Sequence, residues 1–371
     1  MLVVELGLYL DRPYLYYEDI LKQNGLKCVF ECVTHDLYYT NNDFSNIDNM
    51  TEKELKDVCI RVRKVNDGDY EIQNKILKEY KGSAVRAEIL HDVAEYLNKA
   101  GIKTAGIIKT TEGAFLSGNA EEGFYLLKDW YSGRECDTKS RDDILEAVAQ
   151  LARMHQCLAQ YDGQIPEGFF VSEQILIGEY ERHTRELKKV RNYIHAKKKK
   201  NLFETKFMEH YSSYLTQAEE VEERLKEQAA HREESEWQQM YGLCHGDYNQ
   251  HNILFRKEGI WIINLEQLHV DVQVSDLAHF MRKILEKHNW NTGLGMDMIR
   301  AYDKKKKLSA MECEQICFRL AYPEKFWKVA NHYYNSRKSW VSGRDIEKLD
   351  KVTGQEKERQ QFLEMLFHFV R

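Results

Sequence analysis

The chain has 371 residues, 43% of them hydrophobic and 12% aromatic, which is ample for a sizeable core and far from the composition of a disordered chain; the length suggests about two domains. Its 54 basic and 60 acidic residues leave a formal charge of −6, which excludes a global attraction for nucleic acid or an anionic membrane. The opening MLVVELGLYLDRP lacks a basic flank and is interrupted by Glu5 and Asp11, and no run approaches the roughly 18 apolar residues of a membrane span, so a cytosolic protein is expected.

Only three prolines occur, Pro13, Pro166 and Pro323, a pattern that favours long uninterrupted helices. In chain order, residues 57–80 (DVCIRVRKVNDGDYEIQNKILKEY) instead show two partly alternating runs around Asn66-Asp67-Gly68, the signature of a hairpin. Ser83 then stands as the cap of a helix through AVRAEILHDVAEYLNKAG, which Gly101 ends. Residues 105–128 hold two further short strands, the second ending in FYLLKDW. Beyond WYSGREC the chain reads as mainly helical to its end, apart from short strands near 253–264. A small β-rich part, 1–128, thus precedes a larger helical part, 129–371, with the junction near 129–136. That order predicts a two-lobed α+β protein with a ligand cleft between its lobes.

Residues 173–240 are dense in charge at helical spacing and predict a solvated helical hairpin that turns at Lys197 to Lys200. Lys304 to Lys307 reads as a second solvated run, and docking of an acidic partner is the alternative for both. No aromatic residues alternate with these lysines, so neither run predicts a groove for single-stranded nucleic acid. The eight cysteines are scattered without CxxC pairs. Cys28 with Cys32, and Cys313 with Cys317, are four apart, as on one helix face, and read as buried free thiols rather than metal ligands.

The chemistry concentrates in HGDYNQHN, residues 245–252. Phosphoryl transfer needs a carboxylate for the acceptor hydroxyl and metal ions that neutralise charge developing on the phosphates. Asp247 and Asn252 have the spacing of such a loop, the first as catalytic base and the second as metal ligand, and His245 precedes the aspartate by two, as in an HxD loop that it braces. ILF (253–255), a turn at KEG (257–259) and WIINLE supply the strand–turn–strand that the loop requires. His251 and His269 read as structural or exposed.

In the first part, a strand lysine must hold the nucleotide phosphates and a helical glutamate must orient it. Lys78 in KILKEY shares a strand face with Ile76, as the lysine of V-A-I-K does with its alanine. Glu88 or Glu95 on the next helix is its candidate partner. No GxGxxG occurs in the first hundred residues, and the hairpin holds only Gly68.

HGDYNQHN, the adenine-hinge-like YLLKDWYSGREC and the LARMHQ helix resemble the aminoglycoside phosphotransferase and choline kinase superfamily. ILKEYKGS, FYLLKDWYSGRECD, CHGDYNQHNIL, FMRKILEKHNW and YPEKFWKVANHYYNSRKSW are similar to segments of its CotS-like spore coat proteins of endospore-forming bacteria, across residues 75–341. The first fifty residues carry no such resemblance. The resemblance implies a bilobal protein-kinase-like fold, ATP and Mg2+ as cofactors, Asp247 as catalytic base and Asn252 as a metal ligand. It further implies Asp276 in SDLAHF as the structural aspartate that closes the catalytic region, and residues 124–129, with Leu127 and Asp129, as the lining of the adenine site. Synthesis in the mother-cell cytoplasm, then residence in the spore coat among other coat proteins, follows from the same resemblance.

Asn264 departs from it. The superfamily has an aspartate there, usually in IDF or IDL, whose carboxylate binds the metal that bridges the phosphates. An amide oxygen can ligate a metal but brings no negative charge, and Glu266, two residues on, could substitute. Two functions follow. One is a phosphotransferase acting on a small-molecule hydroxyl or a coat-protein Ser, Thr or Tyr. The other is a pseudokinase with a structural role in the coat, in which Asn264→Asp is expected to restore part of the activity. Tyr322, Phe326, Trp327, Tyr333, Tyr334 and Trp340 lie at helical spacing that predicts core packing, with a cage for a quaternary amine as the alternative.

Overall fold

The structure, a computed structural model of the chain, describes residues 27–31, 37–40, 60–66, 69–72, 75–119, 123–131, 133–171, 173–231, 234–336 and 343–370. They divide into two compact units: the described residues of Met1–Arg134 with Leu254–Glu266, and those of Glu135–Ile253 with Gln267–Arg371. The strand Gly123–Asp129 runs across the boundary expected at 128/129.

The first unit is built on an eight-stranded, wholly antiparallel sheet. Strands Lys27–Glu31, Leu37–Thr40, Ile60–Asn66, Asp69–Ile72 and Lys75–Tyr80 lie side by side in chain order; Gly123–Asp129 pairs with Lys75–Tyr80. The expected hairpin forms, with Asn66 opposite Asp69; its turn residues 67 and 68 lie outside the described residues. Residues 105–128 hold three strands rather than two, because Ser117–Asn119 folds back on Gly123–Asp129 as well as Ile107–Ile108. Gly118 makes that return possible: at φ +97°, a Cβ there would stand 2.2 Å from the Gly123 carbonyl oxygen. Cys28 sits in a strand and not on a helix face, and Cys32 lies outside the described residues.

Register decides which side chains meet. Ile76 is opposite Lys128, Lys78 opposite Leu126, and Tyr80 opposite Phe124. Directly paired residues share a face and strand side chains alternate, so Lys78 and Lys128 project from the same side of the sheet. The helix Ala84–Lys99 follows as expected. Ser83 Oγ accepts from the Arg86 amide at 3.2 Å, Gly101 takes φ +85°, and Ile102 N donates back to Leu97 O at 2.9 Å. Its buried stripe is Ala87, Leu90, Val93, Ala94 and Leu97. The expected strand–turn–strand after the HGD loop is Ile253–Arg256 and Gly259–Ile262, and the second strand pairs in parallel with Lys103–Thr104. Through it Asn264 and Glu266 join the first unit.

The second unit is helical around one small antiparallel sheet, Tyr241–Cys244 with His269–Val272, a pairing of four-residue strands with no periodic signal of their own. The expected helical hairpin is Glu173–Ala196 and Leu202–His231. Leu187, Val190 and Ile194 of its first helix pack with Phe203, Phe207 and Tyr214 of its second and with Phe326, Val329 and Ala330. Its turn is not purely solvated, since Lys197 Nζ reaches 2.5 Å from the fully buried Glu204. Phe326 stacks on Phe207 and Tyr214 with ring centroids 5.2 and 4.1 Å apart, and Tyr322 is buried, as core packing requires. Tyr334 is exposed, and Trp340 lies outside the described residues. Cys313 and Cys317 are buried on the helix Ala310–Ala321. Among the described residues no helix is long and apolar enough to cross a membrane.

Candidate active site

In the second unit the strand pair delivers residues 245–252 as a tightly anchored loop. Gly246 adopts φ +82°, and a Cβ there would stand 2.1 Å from the Gln267 carbonyl oxygen, so glycine is required. Asp276, near the start of the helix Val274–Leu285, accepts from the His245 amide at 2.6 Å and the Gly246 amide at 2.9 Å. His155 supports it from the helix Arg141–Leu158. Burial holds the His155 imidazole below its ordinary pKa; its Nε2 lies 3.1 Å from Asp276 Oδ2 and its Nδ1 2.7 Å from the Tyr302 hydroxyl, both within hydrogen-bond distance. Burial pushes the Asp276 carboxyl up, but the hydrogen bonds from His155 and the His245 amide outweigh it and hold the group at about 2. His155 is a positioning residue that sequence reasoning missed. The signal was a histidine in register with the apolar stripe Leu151, Ala152, Met154 and Leu158 of its helix.

Within this loop Asp247 is presented, not buried. Asn249 Nδ2 donates to its Oδ1 at 2.8 Å, Asn252 Nδ2 to its Oδ2 at 3.1 Å, and Lys283 Nζ lies 3.7 Å away. His245 is buried, and its Nδ1 accepts from the Asp247 amide at 3.2 Å, which is the bracing expected of it. Tyr248 pins the loop from beneath by donating to the Ala147 carbonyl at 2.7 Å. Asp247, His245 and Asn252 are therefore brought together, with Asn252 acting as a donor to Asp247.

In the first unit the centre of charge is Glu266. Its carboxylate is bonded to Lys128 Nζ and lies 3.9 Å from Lys78 Nζ, and its backbone oxygen accepts from Arg86 Nη2 at 3.3 Å. Burial would raise this carboxyl; the Lys128 and Lys78 ammoniums and the Lys128 hydrogen bond bring it down to about 2. Lys128 also donates to Asn264 Oδ1 at 2.9 Å. Asn264 itself has φ +63°, a left-handed conformation that asparagine and aspartate tolerate better than most residues.

The expected pairing of Lys78 with a helical glutamate does not form. Glu95 is engaged by Lys99 at 2.8 Å and His91 at 3.6 Å, and Glu88 is exposed two turns earlier. Asp129 is bonded to Lys75, its register partner, at 2.7 Å. Leu127 is buried on the sheet face opposite Lys78 and Lys128. Lys128 was missed: its signal was one charged residue at an in-facing position of the apolar strand FYLLKD. Asn264 and Glu266 do not fit a divalent metal, because the side chains that would ligate it are both bonded to the Lys128 ammonium.

The chain is 20% identical over 313 residues to spore coat protein S of Bacillus subtilis (strain 168), which covers 82% of this chain and 87% of that protein. Among solved structures, an aminoglycoside phosphotransferase from Alicyclobacillus acidocaldarius subsp. acidocaldarius DSM 446 matches with a TM-score of 0.68 at 18% identity, over 84% of this chain and 90% of that one. Amicoumacin kinase hAmiN, solved with AMP-PNP, Ca2+ and Ami, matches with a TM-score of 0.53 at 14% identity, over 82% and 85%. These likenesses show the bilobal, kinase-like α+β fold. The family model described as "Spore coat putative kinase YutH" matches residues 63–366, and the chain belongs to that family of kinase-like spore coat proteins.

Proposed function

We propose that the chain is a kinase-fold component of the spore coat whose ATP-dependent phosphotransfer is degenerate and whose role is mainly structural, exercised with other coat proteins. One observation carries this reading: at residue 264, where the family resemblance implies a metal-binding carboxylate, an amide oxygen is bonded to a lysine. Metal ions supply several kcal/mol of charge stabilisation to phosphoryl transfer, so their loss at this position costs orders of magnitude in rate. The kinase-like neighbour solved with AMP-PNP and Ca2+ supports an adenine nucleotide as the ligand of the fold, with Lys78 as the residue that meets its phosphates.

A second reading, an active kinase of the aminoglycoside or choline type with a hydroxyl acceptor, is favoured by the loop around Asp247. The hydrogen bonds that aim this carboxylate are all present, and packing alone does not require them. In that reading Asp247 is the catalytic base and Asn252 the residue that orients it. The discriminating experiment is ATP turnover by the wild type and by Asp247→Ala in excess magnesium. The degenerate reading expects equal background rates. A wild-type rate at least a hundredfold above Asp247→Ala sinks it in favour of the active kinase.

A further inference from the structure

We infer that Lys128 is the resident cation of the segment from Asn264 to Glu266. Its ammonium takes the place of a divalent metal there, so a carboxylate restored at 264 alone recruits Lys128 and not a metal ion. This rests on the degenerate reading above and names its cause.

Lys128 is fixed from two sides. Its register opposite Ile76 puts it on the face that carries Lys78, and its side chain is only 6% exposed. From there it donates to Asn264 Oδ1 and to Glu266 Oε1, one a neutral amide and the other a carboxylate. A magnesium ion demands near-octahedral oxygen ligation at about 2.0–2.1 Å. Both side chains that this segment could offer already hold one ammonium, and a dication beside that buried ammonium would be repelled. Charge balance points the same way. Lys78, Lys128 and Arg86 all lie against Glu266, so the cluster with Asn264 carries an excess of positive charge, which an aspartate at 264 would reduce without any metal. The backbone does not interfere with that exchange, because the left-handed conformation at 264 suits aspartate about as well as asparagine.

The test is Mn2+ affinity, read by electron paramagnetic resonance on the full chain, for wild type, Asn264→Asp, Lys128→Met and the double variant. Asn264→Asp is expected to bind Mn2+ within twofold of wild type. The double variant, with the carboxylate present and the ammonium gone, is expected to bind at least tenfold more tightly than either single variant. A tenfold gain in Asn264→Asp alone, or no gain in a folded double variant, overturns the inference. Urea unfolding of Asn264→Asp at pH 7 without metal provides a second readout that needs no change at Lys128. An added carboxylate that meets a waiting ammonium leaves the midpoint unchanged or raised, whereas a clear fall means that Lys128 is not its partner. ATP turnover by the wild type would sink the degenerate reading without altering these affinities, and tighter Mn2+ binding by Asn264→Asp would sink the inference without creating turnover in the wild type.

Discussion

Glu266 is a buried carboxylate held between two lysines, and that arrangement makes it a stability determinant with a defined pH signature. Its folded pKa of about 2 lies below the ordinary 4.5. The resulting stabilisation, of the order of 3 kcal/mol, is complete above about pH 4.5 and is lost as pH falls towards 2. Glu266→Gln removes it and leaves Lys128 buried without its anion, a change that costs about 3 kcal/mol or more at pH 7. Urea midpoints of the two proteins should therefore differ widely at neutral pH and converge below pH 4.5. A gap that stays constant down to pH 3 would show that the carboxylate is not held by these lysines. Gly246 gives a second residue-scale expectation. With φ +82° and no room for a Cβ beside the Gln267 carbonyl, Gly246→Ala should lose about 2–3 kcal/mol of stability, measured by the same unfolding experiment.

Elements were legible wherever local rules and tertiary packing agree. Ser83 and Gly101 bound the helix between them, and its cap hydrogen bond is present, so Ser83→Ala should cost about 1 kcal/mol in thermal or urea unfolding; no measurable loss would mean that the first turn is held by packing alone. The Asn66 hairpin, the charged helical hairpin and the strand–turn–strand after residue 252 were likewise readable from periodicity and turn residues. The Tyr241–Cys244 and His269–Val272 strands were not, because four residues carry too little alternation and only their mutual pairing defines them. The site divides in the same way. His245, Asp247 and Asn252 are close in sequence, so their spacing reveals the loop. Lys128 and Glu266 are 138 positions apart, and their meeting depends on a sheet register that no local pattern encodes. Choosing Glu88 or Glu95 as the partner of Lys78 assumed that the helix supplies the carboxylate, whereas it comes from the segment after Gly259–Ile262.

At the scale of the whole molecule, a kinase-like fold and membership of a spore coat family coexist with a hydrogen-bonded loop that presents Asp247 and with an amide at residue 264 that is bonded to Lys128. The loop can be tested apart from the fold: Asp247→Ala should leave the unfolding free energy within about 0.5 kcal/mol of wild type, since its carboxylate is 44% exposed, and its ATP turnover should equal the wild-type background. The most direct measurement is a calorimetric titration of ATP into the wild type and Asn264→Asp, once with excess magnesium and once with chelator. With the Lys128 ammonium as the built-in cation, the wild-type affinity should be the same in both conditions, and Asn264→Asp should remain insensitive to magnesium. Magnesium that tightens ATP binding by the wild type tenfold or more would contradict it.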